Sequence, residues 1–243
     1  MADSVRRLMV AVEGPTEDNF VRQILHPHLW SHGIAVSSTI VGKAKAAARG
    51  NSGKGSRGGG CYADWERDIH NCLKDNPSRD FRLTTLFDLY GLPGDFPGRD
   101  RIASDRSQAD RCDRLQRILA CQINDWRFIP YLQLHEFEAL VMACLPDLEA
   151  LYDAPDQLAG LARLRAEVAS LKPEEINDSK VTAPSKRLER LVPGYRKQQD
   201  GPDAIELAGL PSVRLQCPRF GAWLTQLELL GDEDPHPGQA DWI

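Results

Sequence analysis

LMVAVEGPTE, residues 8–17, is the stretch from which the fold of this 243-residue chain can be worked out. Residues 8–12 form a short apolar run rich in Val, which predicts a strand that is covered on both faces. Gly14 permits a tight turn and Pro15 suits the first position of a helix, so we expect a helix directly after the strand. Glu13 then lies at the carboxyl end of a strand, where open α/β sheets bind their ligands.

Two later segments repeat this pattern of an apolar strand that ends on an acid. Residues 81–87 predict a strand that leads into Asp88, and residues 127–134 predict a strand that leads into Glu136 and Glu138. Strands that alternate with helices are typical of a parallel-rich α/β sheet. Such a sheet would bring these acids together at one edge.

Each of these acids also has an interpretation that involves no ligand. Glu17 lies in the first turn of the predicted helix, where the helix dipole stabilises any negative charge, and the same holds for one of Glu136 and Glu138. Asp88 is also suited to an Asx turn or a helix cap. Glu13 is harder to explain in this way, because a carboxylate that closes an apolar strand loses hydration and needs a partner, such as a metal ion.

The composition is that of an ordinary soluble globular protein, 42% hydrophobic and 27% charged. A net charge of −5 excludes nucleic-acid binding through overall basicity, so affinity for phosphate requires local basic patches or metal ions. The six cysteines have no CxxC spacing, and we therefore expect a cytoplasmic protein without a disulfide framework or a structural zinc site. No apolar run is long enough to span a membrane, so no membrane partner is expected.

Three histidines, His26, His28 and His32, lie on the first predicted helix or at its end. No carboxylate or cysteine follows at a spacing that would complete a zinc site. We expect these histidines to be solvated or packed against the core.

Two basic segments are candidates for contact with phosphate. Residues 42–60 contain seven Gly, three Lys, two Arg and no acid, which predicts a loop but not a Walker A loop. Lys43 and Arg57 in this loop are candidate substrate-binding residues, and a flexible linker is the alternative. Lys186 and Arg187 in a later turn-to-helix segment are a second candidate pair, and a solvated helix face is the alternative there.

Carboxylates gathered at one sheet edge would form an oxygen-only site, which favours Mg²⁺ or Mn²⁺ over zinc. Such an ion activates a water molecule, neutralises a phosphate and stabilises the leaving oxygen during phosphodiester cleavage. The predicted metal ligands are Glu13, Glu17, Asp88, Glu136 and Glu138, and the predicted catalytic residues are Glu13, Asp88 and Glu136.

Five blocks of sequence, in this order, resemble the DUF4276 family of Toprim-like proteins, which is related to the Toprim domain of the overcoming-lysogenization-defect (OLD) nucleases. The blocks are EGPTEDNFV (13–21), RGGGCYADW (57–65), FDLYGLPG (87–94), YLQLHEFEALV (131–141) and APSKRLERLVPGY (183–195). The resemblance implies a Toprim-like parallel-rich sheet flanked by helices, with a helical appendage at the C-terminal end. We expect a Toprim-like domain over residues 1–145, a helical region packed on it over 146–230, and a flexible acidic tail over 231–243.

The same resemblance implies a metal-dependent nuclease. Glu13 matches the glutamate of the family motif, and Asp88 matches the first Asp of the usual DxD. Tyr90 stands where the second Asp is usual, which removes one ligand, and Glu136 and Glu138 are the acids that would replace it. Members of the family are often encoded beside ATPases in bacterial defence loci, so an anti-phage effector with an ATPase partner is implied.

Two other functions remain open at this point. One is a Toprim-fold binding subunit without turnover, for which Tyr90 is the best support. The other is a phosphatase or nucleotide hydrolase that uses the same acids. The sequence leaves undecided whether the substrate is DNA or RNA, whether one or two ions bind, and whether the chain forms a homo-oligomer.

Overall fold

The structure is a computed structural model that describes residues 5–42, 60–102, 107–176 and 182–232. Lys43, Arg57 and all but two residues of the predicted acidic tail lie outside these described residues. The strands are β1 (Arg6–Val12), β2 (Ile34–Ile40), β3 (Phe81–Asp88), β4 (Phe128–Ile129) and β5 (Leu132–Gln133). The helices are α1 (Pro15–Phe20), α2 (His26–Trp30), α3 (Tyr62–Asp75), α4 (Gln108–Ile123), α5 (Glu138–Met142), α6 (Leu145–Glu149), α7 (Pro155–Val168), α8 (Pro184–Leu191), α9 (Lys197–Ala208), α10 (Leu210–Gln216) and α11 (Pro218–Glu228).

The sheet has the strand order β2-β1-β3-β4, and β5 also pairs with β3. Every one of these pairs is parallel. The register places Val12, the last residue of β1, opposite Leu86 near the end of β3. The acids that follow, Glu13 and Asp88, therefore leave the sheet at the same edge. The predicted parallel α/β sheet flanked by helices is confirmed.

The side chains of β1 alternate between two hydrophobic cores, one on each face of the sheet. Val10 belongs to a core that also contains Phe20 of α1 and Phe220 of α11. Ala11 belongs to a second core, which contains Trp65 of α3 and also residues of α4. Because both faces of the sheet are covered, the strands are apolar along most of their length, as the run at residues 8–12 predicts.

The core on the α1 side extends across the domain boundary predicted at residues 145 and 146. It joins Leu8 of β1 and Leu140 of α5 to Leu164 of α7 and Leu224 of α11. The C-terminal helices thus share a core with the sheet, and the domain limits themselves stay a prediction.

The continuous strand predicted for residues 127–134 is wrong, because the chain forms β4 and β5 with a break at Pro130. Proline has no N–H to donate to β3, so it interrupts a ladder of hydrogen bonds. The Thr85 hydroxyl fills this gap: it lies 2.7 Å from the carbonyl oxygen of Tyr131 and 2.8 Å from its amide nitrogen. The buried threonine keeps the strand in place beside β3.

The first helical segment is also less regular than predicted. A π-helical turn, Val21–Leu25, lies between α1 and α2, so the segment is continuous but locally wider than an α-helix. Three 3₁₀ turns, Arg99–Arg101, Pro173–Glu175 and Leu229–Gly231, complete the described elements. None of the helices among the described residues is both long enough and apolar enough to cross a membrane.

Candidate functional site

Glu13 and Asp88 are joined directly at the carboxyl ends of β1 and β3. The backbone N–H of Asp88 donates a hydrogen bond to Oε1 of Glu13, with an N···O distance of 2.6 Å. Gly14 precedes α1 with extended backbone, and its carbonyl oxygen accepts from the N–H of Asp18 at 3.1 Å. The turn between β1 and α1 therefore holds the Glu13 carboxylate against the end of the neighbouring strand.

Gly91 leaves room for this carboxylate. The turn after β3 is closed by a hydrogen bond from the Gly91 N–H to the Asp88 carbonyl oxygen at 3.0 Å. A Cβ atom at Gly91 would overlap Oε2 of Glu13. Gly91 of the FDLYGLPG block therefore cannot be replaced by a larger residue without a clash, because the Glu13 carboxylate occupies the space that a side chain would need.

Asp88 lies in an environment that disfavours its charge. Its Oδ1 atom is buried and has no hydrogen-bond partner among the residues that the structure describes. Burial raises the pKa of Asp88 well above its ordinary value, and repulsion from Glu13 and Glu17 raises it further. A buried carboxylate oxygen without a partner costs free energy in a folded protein, unless a proton or a cation binds there.

Glu17 and Glu138 complete what we call the acid cluster, which consists of Glu13, Glu17, Asp88 and Glu138. Glu17 lies in the first turn of α1 and Glu138 begins α5, as predicted, but both are buried rather than solvated at a helix end. Burial raises the pKa of Glu17 and raises that of Glu138 to about 7. The helix dipole alone does not account for two buried carboxylates, since its stabilising effect is small.

Lys197 is a cation beside the acid cluster, and it is not among the site residues predicted from the sequence. Its Nζ lies 2.8 Å from Oε1 and 2.9 Å from Oε2 of Glu138. Burial lowers the pKa of Lys197, but the charges of Glu138, Asp88 and Glu17 outweigh this effect and raise it. No local signal marks Lys197, because it lies 59 residues from Glu138 at the first position of α9.

A hydrogen bond between α1 and the start of α9 places Lys197 near the sheet edge. The Asn19 side chain donates to the carbonyl oxygen of Gln198 at 2.9 Å. At the other end of the first turn of α9, Oδ2 of the fully buried Asp200 accepts from the Tyr152 hydroxyl at 2.6 Å and from the Arg196 N–H at 2.8 Å. These contacts fix the first turn of α9 from both sides.

Glu136 occupies a different position from the acid cluster. Its Oε2 accepts a hydrogen bond from the N–H of Ser185, at the start of α8, with a distance of 3.2 Å. Its charge contributes to the raised pKa of Glu138. Glu136 thus links the acid cluster to the basic segment of α8, and its role as a catalytic residue and metal ligand stays a prediction.

Tyr90, which replaces an acid of the usual DxD, packs beside His135. The two rings are 5.3 Å apart, and the Tyr90 N–H donates to the carbonyl oxygen of His135 at 3.1 Å. His135 has a positive φ of 67°, which is uncommon for a residue other than glycine. At this position the chain therefore has an aromatic contact with the turn before α5.

Lys186 and Arg187 lie on α8 beside a cavity of about 320 Å³. Each makes an ion pair with a surface acid: Lys186 with Glu189 at 2.5 Å, and Arg187 with Glu167 at 3.4 Å. Arg190 also pairs with Glu167, at 2.7 Å. Both side chains already pair with acids, and a contact of Lys186 or Arg187 with phosphate stays a prediction.

The acid cluster fits a divalent cation by its chemistry. It consists of four carboxylates, so all of the donor atoms that it offers to a metal are oxygens, the ligands that Mg²⁺ and Mn²⁺ prefer. Oδ1 of Asp88 is a buried carboxylate oxygen of this site that has no hydrogen-bond partner within the described part of the chain. Within the described ranges, no three acids of this site have ligand atoms that all lie within 4.8 Å of one another. A different group of residues, His28, His32 and Glu228, does meet this spacing.

Comparisons with known proteins bear on the family and give no named function. No protein of curated function matches the sequence. Solved structures similar to the chain include the C-terminal region of the Burkholderia pseudomallei OLD protein, with 16% identity, a TM-score of 0.41 and coverage of 92% of this chain and 98% of that one. The C-terminal region of the Xanthomonas campestris pv. campestris OLD protein gives 17% identity, a TM-score of 0.37 and coverage of 91% and 95%.

The family assignment depends on a family model rather than on those structures. The model described as "Domain of unknown function (DUF4276)" matches residues 12–228, which include every member of the acid cluster. The predicted membership is therefore confirmed, and the chain belongs to the DUF4276 family.

Proposed function

We propose that this protein is a metal-dependent nuclease that hydrolyses phosphodiester bonds of nucleic acid, with Mg²⁺ or Mn²⁺ held by the acid cluster. The observation that carries the proposal is that Oδ1 of Asp88 is buried and has no hydrogen-bond partner among the described residues. Asp88 lies beside Glu13 at the carboxyl ends of adjacent parallel strands, and the charge of Glu17 in α1 also acts on it. Buried carboxylates in excess over cations are costly for folding alone, so a bound cation accounts for their retention.

The residues of the site have separate roles in this proposal. Asp88, Glu13 and Glu17 would hold the cation, which when bound supplies an activated water and neutralises the phosphate. The Asp88 N–H orients the Glu13 carboxylate, and Gly91 leaves the space that this carboxylate occupies.

Glu138 and Lys197 are suited to proton transfer beside the cation. A pKa of about 7 keeps Glu138 poised between its protonated and ionised forms at neutral pH, which is the range in which general acids and bases are effective. Lys197 supplies a fixed positive charge next to it, at 2.8 Å.

The wider role is proposed from the sequence blocks shared with the DUF4276 family. An anti-phage effector that acts with an ATPase partner fits the resemblance, and Glu136 is retained as a candidate catalytic residue beside Ser185 of α8. Lys186 and Arg187, on the same helix, remain the candidate phosphate contacts of the described residues.

The test is a cleavage assay with plasmid DNA and with RNA in the presence of Mg²⁺ or Mn²⁺. Wild-type protein should cleave one of them, and Glu13→Gln and Asp88→Asn should each lose activity by about a hundredfold or more, because they remove charged groups around the metal. Asp75→Asn, on the exposed end of α3, is the matched control and should cleave like the wild type. Equal cleavage by Glu13→Gln and Asp75→Asn would show that the acid cluster takes no part in the reaction.

The second candidate function is a catalytically inactive binding subunit of an ATPase-containing defence complex. Tyr90 in place of an acid, and an ion pair that already engages Glu138, both favour it. Calorimetric titration with Mg²⁺ separates the two functions. Absence of binding at millimolar Mg²⁺ would favour the inactive subunit, whereas binding that Asp88→Asn removes would favour the nuclease.

A further inference from the structure

A second group of metal-binding side chains lies outside the acid cluster. His28 is on α2, His32 is in the turn that follows α2, and Glu228 is the last residue of α11. We call these three residues the His–Glu cluster. The sequence analysis found no third ligand for the histidines, and the fold supplies it from 200 residues away.

The side chains of the His–Glu cluster lie close enough together to share one ion. Nε2 of His28 lies 2.7 Å from Oε1 of Glu228, and the rings of His28 and His32 are 5.2 Å apart. One ligand atom from each residue lies within 4.8 Å of the other two. Ligands of a tetrahedral Zn²⁺ are about 3.3 Å apart, given metal–nitrogen distances of about 2.0–2.1 Å. The His28–Glu228 pair, which is closer than this, must open by about 0.6 Å to share an ion. The His32 side chain is exposed.

The backbone holds the two parts of the cluster together without any ion. A Cβ atom at Gly231 would overlap the carbonyl oxygen of His32, so the 3₁₀ turn after α11 lies directly on the turn after α2. The separation between the His32 and Glu228 backbones is therefore set by packing, and a cation would bind to a largely preformed site.

Arg214 orients the carboxylate of this cluster. Its two terminal nitrogens donate to Oε1 and Oε2 of Glu228 at 2.9 and 3.0 Å. Burial raises the pKa of Glu228, but the bonds from Arg214 and His28 outweigh it and lower the pKa, so the carboxylate is ionised at neutral pH. Partners of this kind, which hold a ligand in position from outside, are usual around metal sites.

We propose that His28, His32 and Glu228 form a Zn²⁺ site, with a water molecule as the fourth ligand, and that the bound ion joins α2 to α11. Two imidazole nitrogens and one carboxylate oxygen are a ligand set that zinc uses when one position is left open. The oxygen-only acid cluster prefers Mg²⁺ or Mn²⁺, so the two sites select different ions. The inference does not depend on the proposed nuclease function.

The test is a Zn²⁺ titration of EDTA-treated, dialysed protein in the presence of excess Mg²⁺, which occupies oxygen-only sites. Calorimetry should show one equivalent of Zn²⁺ bound, and the thermal unfolding midpoint should rise with Zn²⁺ concentration, because the ion binds only the folded state. His32→Ala should weaken the binding by at least about tenfold, since it removes one of three protein ligands. His70→Ala removes an exposed histidine from α3 instead, and should bind Zn²⁺ like the wild type.

Two further variants keep the result interpretable. Glu228→Gln removes the ligand charge and should also weaken Zn²⁺ binding, whereas Glu13→Gln, in the acid cluster, should leave it unchanged.

Co²⁺ in place of Zn²⁺ should give the intense visible absorption of a four-coordinate ion in the wild type, and this absorption should be lost in His32→Ala. Equal Zn²⁺ affinity of wild type and His32→Ala, or loss of binding in Glu13→Gln alone, would overturn the proposal.

Discussion

The acid cluster and the basic segment of α8 are both rich in charge, but they differ in how far their charges are buried and paired. In the acid cluster, Glu17 and Glu138 are buried, Lys197 pairs with Glu138, and the buried Oδ1 of Asp88 has no hydrogen-bond partner among the described residues. On α8, each of Lys186, Arg187 and Arg190 meets a surface acid. In the acid cluster, carboxylates outnumber the neighbouring cation and part of their charge is buried, whereas every one of the three basic side chains on α8 is paired with an acid, Glu167 being shared by Arg187 and Arg190.

This difference distinguishes the charges that need a ligand from the charges that are satisfied. Exposed ion pairs contribute little to stability and can rearrange at small cost. A buried excess of one sign raises the free energy of the folded state until a counter-charge binds. The number of acids in a segment is therefore less informative than their burial and their partners, and four variants test this distinction.

The largest effect is expected for Gly91→Ala, which places a methyl group where Oε2 of Glu13 lies. The carboxylate must move, and a displacement of about 1 Å in a catalytic group can lower the rate by about a hundredfold. Cleavage rates and Mg²⁺ affinity measured side by side would show the loss. Gly94→Ala is the control in the same turn, because a Cβ there has no neighbour within 4 Å. Similar losses in both variants would point to a general disturbance of the turn.

Lys197→Met should lower the free energy of unfolding at pH 8 by about 2 kcal/mol, because it leaves the fully buried Glu138 without its partner. The figure is at the low end for buried pairs, since the Lys197 side chain is 36% exposed. Urea unfolding measures it. The double variant Lys197→Met with Glu138→Gln should recover most of the loss. Failure to recover would indicate that Lys197 stabilises the fold through its packing rather than through its charge.

The free energy of unfolding of the metal-free wild type should fall as the pH rises from about 4.5 to about 7, when it is compared with that of Glu138→Gln at the same pH. The pKa of Glu138 is raised from 4.5 to about 7 on folding, so in this range the folded state binds a proton that the unfolded chain has released. The stabilising contribution of this proton to folding is complete below pH 4.5 and is lost as the pH rises through 7. Its slope is at most about 1.4 kcal/mol per pH unit for one proton. Unfolding in EDTA at several pH values checks it, and parallel curves for the two proteins would contradict it.

Arg190→Ala is expected to have the smallest effect, within about 0.5 kcal/mol of the wild type. It removes the ion pair with Glu167, in which the Arg190 side chain is 60% exposed. The same urea experiment serves for comparison with Lys197→Met. A larger loss for Arg190→Ala than for Lys197→Met would invalidate the distinction between buried excess charge and exposed matched charge.

The sheet and the acids at its edge could be predicted because each depends on a few consecutive residues. An apolar run, an acid, and then Gly14 and Pro15 specify a strand and a turn through local sterics. Pro130 was also visible in the sequence, and the break between β4 and β5 follows from its missing N–H, a signal that the prediction of a continuous strand overlooked.

The remaining features depend on tertiary packing, which no local pattern encodes. Lys197 meets Glu138, and Glu228 meets His28, only because the C-terminal helices pack on the α1 side of the sheet. The hydrogen bond from the Ser185 N–H to Glu136 likewise depends on tertiary packing, and the predicted role of Glu136 as a metal ligand stays a prediction.

The position of Lys197 late in the sequence has a consequence for how the chain folds during synthesis. The acids of β1 and β3 leave the ribosome long before α9 does, so a nascent sheet would carry its repelling carboxylates with no lysine to offset them. Cotranslational folding of the first 145 residues should therefore be weak on its own, and the arrival of residue 197 would offset part of this repulsion. A fragment that ends before α9 is expected to form a less stable sheet than its apolar content alone suggests.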